Sequence, residues 1–151
     1  VDDKVIFTFN PDPAAESGIV TDAALNLLYG MADIHVMSSK REGFGLPLIE
    51  AAMSGTASIT TNYASMAEVL ADERGWLVPF SDFEHCPEYN LVEALVNVPE
   101  LAKTINHALD HPEECREKAT ALKVWTKANC DPARVRNQWV KLFEEIERSI
   151  K

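Results

Sequence analysis

The chain has 151 residues, of which 46% are hydrophobic, and this is enough for one domain with a core. It carries 14 Lys and Arg against 24 Asp and Glu, and a formal net charge of −10 argues against binding to nucleic acid or anionic membranes. Its three cysteines are far apart and lack metal-ligand spacing, which indicates reduced thiols and a cytoplasmic location.

Short β-branched runs alternate with amphipathic stretches in the first half of the chain. The predicted strands cover residues 4–9, 33–39, 57–61 and 75–79, and the predicted helices begin at Thr21 or cover 46–54 and 66–71. The Thr21 hydroxyl can cap the first helix, and Pro47 suits the first turn of the second. This alternation predicts an α/β fold with a Rossmann-like parallel sheet and flanking helices.

The second half is predicted to be a polar, irregular surface excursion over residues 81–98 and then a helical tail over 99–151. The tail divides into helices at 99–111, 112–129 and 132–150. The last of these has an apolar stripe that includes Trp139 and Phe143, which is expected to pack into the core. Residues 1–151 therefore form one domain, but a partial one, because a doubly wound sheet usually has more strands than are found here. No run of the sequence is apolar enough to span a membrane, and the start lacks a leader and a methionine, as expected of a chain cut from a longer protein.

A glycine-rich loop between a strand and a helix is the main candidate site. Ligands of open parallel sheets bind beyond the carboxyl ends of the strands, where Phe9 and Asn10, residues 38–45 and residues 60–65 are expected. Gly43 and Gly45 allow a close approach of the backbone, and the amides near Gly45 and Leu46 face an anion at the start of the helix. Glu42 and Glu50 are predicted to open onto one crevice, where carboxylates accept hydrogen bonds from sugar or ribose hydroxyls. A plain loop, with Glu50 complementing the helix dipole in the first turn, is the alternative.

The loop also carries a family resemblance. Glu42 and Glu50 enclose seven residues, Gly-Phe-Gly-Leu-Pro-Leu-Ile, and closely match the E-x7-E signature of retaining family-4 glycosyltransferases, also called glycosyl transferases group 1. Residues 28–39, 50–56, 67–70 and 75–79 resemble the segments on either side. The chain thus resembles the C-terminal, donor-binding lobe of an enzyme of the two-lobed GT-B fold.

The resemblance implies a role for each residue of the loop. Glu50 holds the ribose hydroxyls of a nucleotide-diphosphate sugar, and Glu42 is the catalytic residue beside the transferred sugar. The backbone amides of Gly43, Phe44, Gly45 and Leu46 meet sugar hydroxyls and phosphate, while Phe9 and Asn10 lie near the base. No metal or cofactor is expected. The acceptor site belongs to a missing N-terminal lobe, supplied in cis or in trans, so the isolated chain is expected to be inactive.

Several features leave alternatives open. The family usually has proline at Ala57 and a glycine pair near Ala64 and Ser65, so the loop after the third strand can differ in shape. Lys40 and Arg41 are a phosphate-binding pair or a solvated loop face, and His35 is a packed, hydrogen-bonded histidine or a catalytic one. The last helix, instead of packing its apolar stripe into the core, can cross back to the other lobe, as the terminal helix often does in this family. A non-catalytic lobe that pairs with a separately encoded half is the main rival function, and a dehydrogenase-type domain, which lacks its G-x-G-x-x-G turn here, is a weaker one.

Overall fold

The structure is a computed structural model that describes residues 21–150. The helices are α1 (Asp22–Met31), α2 (Leu46–Ser54), α3 (Ala64–Val69), α4 (Val98–Asp110), α5 (Pro112–Asn129) and α6 (Pro132–Ile150). The strands are β1 (Ile34–Met37), β2 (Ala57–Thr61), β3 (Trp76–Val78), β4 (Phe80–Cys86) and β5 (Leu91–Val96). The predicted helices and strands from Thr21 onward are confirmed, with ends shifted by a few residues at most. The strand predicted at 4–9 lies outside the described residues.

Three parallel strands form the central sheet in the order β1-β2-β3. In this register Met37 pairs with Thr60, and Thr61 pairs with Val78, so the carboxyl ends of all three strands lie at the same edge. All five residues of β2 are buried, as expected for a strand with a neighbour on each side and helices above and below. The prediction of a parallel α/β sheet with flanking helices is confirmed.

The two faces of the sheet are covered by different helices. On one face, Met37 of β1 packs with buried side chains of α2, α3 and α5, including Leu48 and Leu122. On the other face, Ile59 of β2 packs against Ala108 of α4. Each fully buried leucine or isoleucine contributes about 1.5–3 kcal/mol relative to an exposed one, so these two layers hold the sheet and its carboxyl edge in place.

An antiparallel hairpin replaces the irregular segment predicted over residues 81–98. Strands β4 and β5 pair from Phe80–Val96 to Cys86–Leu91, with a bulge between Phe80 and Asp82. Most of β4 is exposed, so the segment does lie on the surface. The prediction of irregular structure was wrong because the β4 sequence has no β-branched residue, and strand propensity alone does not detect it.

The apolar stripe of α6 is solvent-exposed. Trp139 and Phe143 are 55% and 57% exposed and stack on each other with ring centroids 5.8 Å apart. No residue of α6 is buried against the rest of the described chain, so the prediction of core packing was wrong. The helix is not a membrane span either, since no described helix combines the length and apolarity needed to cross a bilayer.

Candidate functional site

The loops that follow β1 and β2 meet at the carboxyl edge of the sheet. The Thr60 hydroxyl donates a hydrogen bond of 2.8 Å to the carbonyl of Met37, the last residue of β1. The Ser65 hydroxyl donates another, of 3.0 Å, to the carbonyl of Glu42. The predicted loop of residues 38–45 and the predicted loop of 60–65 are therefore joined directly.

Gly45 determines how the loop enters α2. It is the N-cap residue, with φ 91° and ψ 50°, a left-handed conformation that favours glycine. A Cβ atom at this position would lie 3.3 Å from Leu48 Cδ1 and 3.6 Å from Met37 Cε, so the space is also limited. Gly43 differs, because its φ is not in the left-handed region and a Cβ there would meet nothing within 4 Å. The expectation of unusual backbone dihedrals is thus met by Gly45 and not by Gly43.

No side chain caps the start of α2. Gly45 offers no side chain to cap the helix, and the proline in the first turn has no N–H. The Phe44 and Leu46 side chains on either side are 45% and 61% exposed. The positive end of the helix dipole, where an anion or a polar ligand is favoured, therefore has no side-chain cap, although Gly45 itself is buried.

Glu42 and Glu50 lie on different parts of this arrangement. Glu42 is half-buried in the loop, and its backbone carbonyl is the acceptor for Ser65. Glu50 is the fifth residue of α2, so it lies in the second turn, not in the first as predicted. Because helix-dipole effects fall off within the first turn, this position argues against a purely dipolar role for Glu50. Phe9 and Asn10, the remaining predicted site residues, lie outside the described residues.

The Glu50 carboxylate belongs to a chain of polar contacts that the sequence analysis missed. Tyr29 of α1 donates a hydrogen bond of 3.1 Å from its hydroxyl to Glu50 Oε2. Burial, reinforced by Glu50, raises the pKa of Tyr29 to about 12. The Tyr29 ring meets the edge of His35 at 5.4 Å, and His35 Nδ1 lies 3.1 Å from the Ser58 hydroxyl of β2. Burial lowers the pKa of His35, and Glu50 partly offsets this. The interpretation of His35 as packed and hydrogen-bonded is confirmed.

The β4–β5 hairpin braces the same edge of the sheet. The Ala94 amide donates a 3.0 Å hydrogen bond to the carbonyl of Lys40, and the Lys40 ammonium pairs with the Glu84 carboxylate. Tyr63, after β2, donates a 3.2 Å hydrogen bond to the Val92 carbonyl. Since Lys40 and Glu84 are each about half exposed, their ion pair is solvated, which for Lys40 favours the interpretation as a solvated loop face.

Two further observations bear on ligands. A cavity of about 570 Å³ lies near the amino end of β3, and its lining includes Lys103, His107 and Lys118 but none of the predicted site residues. It is therefore at the opposite edge of the sheet from the position where ligands of open parallel sheets bind. Across residues 21–150, no group of three or more His, Cys, Asp or Glu side chains is arranged to hold a metal ion.

Comparison with known proteins identifies the family. The family of glycosyl transferases group 1 matches residues 17–122, a stretch that contains β1 to β5, the Glu42–Glu50 loop and most of α5. The chain belongs to this family.

Three curated relatives of this group 1 chain share a short stretch with it. The serotype-specific mannosyltransferase WbdA of Escherichia coli is 40% identical over 60 residues, which are 40% of this chain and 7% of the relative. The mannosylfructose-phosphate synthase of Agrobacterium fabrum (strain C58 / ATCC 33970) is 38% identical over 60 residues, 40% of this chain and 13% of the synthase. O-antigen chain mannosyltransferase B of Escherichia coli is 42% identical over 55 residues, 36% of this chain and 14% of that protein. The chain thus matches a small part of each relative.

One departure from the group 1 pattern has a structural counterpart. Ala64 stands where the family was expected to have a glycine, and its φ is 50°, in the left-handed region that favours glycine. The loop after β2 therefore has a glycine-like backbone at this residue despite the substitution. An alanine in this conformation is strained by about 1–2 kcal/mol.

Proposed function

We propose that this chain is the donor-binding part of the C-terminal lobe of a retaining glycosyltransferase of the GT-B type. The parent protein would transfer a sugar from a nucleotide-diphosphate sugar to an acceptor, in the cytoplasm. Mannose is the sugar that we propose, because the three relatives are named for mannosyl transfer or mannosylfructose-phosphate synthesis.

The observation that carries the proposal is the segment from Glu42 to Glu50, which is a loop up to Gly45 and the start of α2 after it. It lies within the stretch matched by the group 1 family, runs from the carboxyl end of β1 into α2, and turns through the left-handed Gly45. In the proposed complex Glu50 binds the ribose and Glu42 lies beside the transferred sugar. The amides of residues 43–46 bind sugar hydroxyls and phosphate, where they offset the charge that develops on the leaving diphosphate.

The two carboxylates are expected to give different kinetic defects. In the complete protein, Glu50→Ala should weaken donor binding by about tenfold to a hundredfold, the range for hydrogen bonds to a charged group. Glu42→Ala should lower kcat with a smaller effect on donor affinity. Glu117→Ala, on the exposed surface of α5, is the matched control. Steady-state kinetics and calorimetry separate the effects; equal losses of binding and turnover in both variants would contradict these roles.

The 151-residue chain alone is proposed to transfer no sugar. Holding donor and acceptor in alignment can supply about 7–11 kcal/mol of the barrier reduction, and on the family resemblance the acceptor site belongs to the N-terminal lobe. The test is radiolabelled transfer from UDP-, GDP- and ADP-sugars, with mannose included in each set, in the presence and absence of an added N-terminal lobe. Turnover by the chain alone would overthrow this part of the proposal.

The alternative, a non-catalytic lobe that pairs with a separately encoded half, has one observation in its favour. Leu27 and Met31 of α1 are 61% and 68% exposed, and α6 exposes its apolar stripe as well. Apolar surfaces of this kind are common at protein interfaces. Binding of a nucleoside diphosphate to the Glu42–Glu50 loop, detected as changes in the NMR signals of Gly43 and Gly45, distinguishes the enzyme part from the pairing lobe.

A further inference from the structure

The Tyr29 hydroxyl and the Glu50 carboxylate form a contact between α1 and α2. The hydroxyl donates to Oε2 at 3.1 Å, and an ionised carboxylate can accept further hydrogen bonds on both of its oxygens. A tyrosine hydroxyl is protonated at neutral pH and can donate to the carboxylate, and the contact with Glu50 helps to raise the pKa of Tyr29 further, to about 12.

Tyr29 is itself fixed by its surroundings. Its backbone carbonyl accepts a 2.6 Å hydrogen bond from the Thr56 hydroxyl and a 3.1 Å hydrogen bond from the Ala32 amide. Its ring meets His35 edge-on, and His35 is in turn held by Ser58 of the central strand. The hydrogen bonds to the carbonyl hold the backbone of Tyr29, and the ring contact with His35 restricts a side chain that has few rotatable bonds.

The Glu50 backbone is held as well, since its carbonyl accepts a 3.1 Å hydrogen bond from the Ser54 hydroxyl, but its side chain has more rotational freedom than that of Tyr29. A glutamate on the surface of a helix has three rotatable side-chain bonds and loses much rotational freedom when it is ordered. The contact with Tyr29 therefore restricts a flexible carboxylate by means of a rigid partner that is anchored to β1 and β2. A ligand that binds Glu50 then meets a carboxylate that is already ordered, which favours binding.

We propose that Tyr29 is a positioning residue that holds the Glu50 carboxylate toward the ribose hydroxyls of the donor nucleotide. This inference rests on the proposed function, because it requires Glu50 to bind the ribose. A contact that only joined α1 to α2 would contribute to the stability of the protein. It would not change the preference of the protein for nucleotides that carry the ribose hydroxyls. The two roles therefore differ in ligand selectivity.

The experiment compares nucleotides with and without the ribose hydroxyls. Affinities for GDP, UDP and ADP, and for their 2′,3′-dideoxy analogues, are measured by NMR titration of the 151-residue chain. We expect the chain to prefer the ribonucleotide by about tenfold to a hundredfold, and Tyr29→Phe to reduce that preference by about three- to tenfold, the factor for one ordinary hydrogen bond. Tyr89→Phe is the matched control, since Tyr89 is 69% exposed in the turn of the hairpin.

A double-variant cycle shows whether Tyr29 acts through Glu50. In the Glu50→Ala background the ribose preference should be absent, and Tyr29→Phe should have no further effect. If Tyr29→Phe fails to fold, Thr56→Val, which removes the hydrogen bond to the Tyr29 carbonyl, should reduce the preference in the same direction.

Four results would overturn one inference or both. A ribose preference that Tyr29→Phe leaves unchanged overturns the role of Tyr29 and leaves the proposed function standing, as does an effect of Tyr29→Phe that persists without Glu50. Equal affinity of the unaltered chain for ribonucleotide and dideoxynucleotide, or binding of neither, overturns the assignment of Glu50 to the ribose and the role of Tyr29 with it.

Discussion

Replacing Gly45 by alanine tests whether the loop depends on a left-handed residue. Gly45 has φ 91°, and an added Cβ would lie 3.3 Å from Leu48 Cδ1 and 3.6 Å from Met37 Cε. Leu48 is fully buried and Met37 is 8% exposed, so neither side chain can move aside into solvent. We expect Gly45→Ala to destabilise the protein and to displace the start of α2.

The magnitude follows from three contributions. An L-residue in the left-handed region costs about 1–2 kcal/mol, and crowding of the core by one methyl group costs about 1 kcal/mol. Against these, alanine restricts the unfolded chain more than glycine does, which contributes about 0.4–1 kcal/mol of stability. The net expected loss is about 1–2.5 kcal/mol. Gly43→Ala, with an ordinary φ and no atom within 4 Å of the added Cβ, should instead be neutral or stabilise by up to about 1 kcal/mol.

Urea denaturation of both variants, followed by circular dichroism, measures the difference. The free energies of unfolding of Gly45→Ala and Gly43→Ala should differ by about 2–3 kcal/mol, with similar m-values, since the area exposed on unfolding is unchanged. If the two substitutions have the same effect, the left-handed conformation of Gly45 does not constrain the loop, and the reasoning above is refuted.

The remaining predictions concern the sheet and its loops. Gly75→Ala should cost at least about 2 kcal/mol, because its Cβ would lie 2.7 Å from the Ser58 carbonyl oxygen, and a folded variant of unchanged stability would contradict this. Ala64→Gly should stabilise by about 0.5–1 kcal/mol in the same denaturation assay, since it relieves the strain at φ 50°, and any loss of stability would argue against that strain. His35, whose folded pKa is below 6.5, takes up its proton more readily when unfolded, so stability should fall as pH drops below about 6.5. His35→Asn should lose less stability than the unaltered chain between pH 7 and pH 5.5, and parallel pH profiles would contradict the assignment.

Local sequence patterns predicted the elements of the parallel sheet well. The run from Ile34 to Met37 and the helix that starts after Gly45 combine strand or helix propensity with a turn or capping signal at their ends. Residue propensity and the end signal then agree, and the predicted strands and helices lie within a few residues of the observed ones. The edge at which the loops meet follows from parallel topology alone.

The errors occur where local propensity and periodicity do not decide the structure. Strand β4 is paired with β5, and the hairpin is held to the loops by Lys40 and Tyr63, which are distant in sequence from it. The stripe of α6 has the periodicity of a buried face, but periodicity does not say which surface covers it. The contact between Tyr29 and Glu50 joins two helices across 21 positions, and no spacing rule connects them.

The hairpin also offers a place to attach a reporter. Its turn, residues 87–90, is exposed, and exposed loop tips tolerate insertions better than the strands beside them. A fluorophore or a short peptide tag inserted there would lie on the element that touches the loops after both β1 and β2, yet outside the Glu42–Glu50 segment. Deleting a single residue of β5 before Ala94 would instead shift the register of the strand by one and turn Ala94 away from Lys40. The turn should therefore tolerate changes in length that the strand does not.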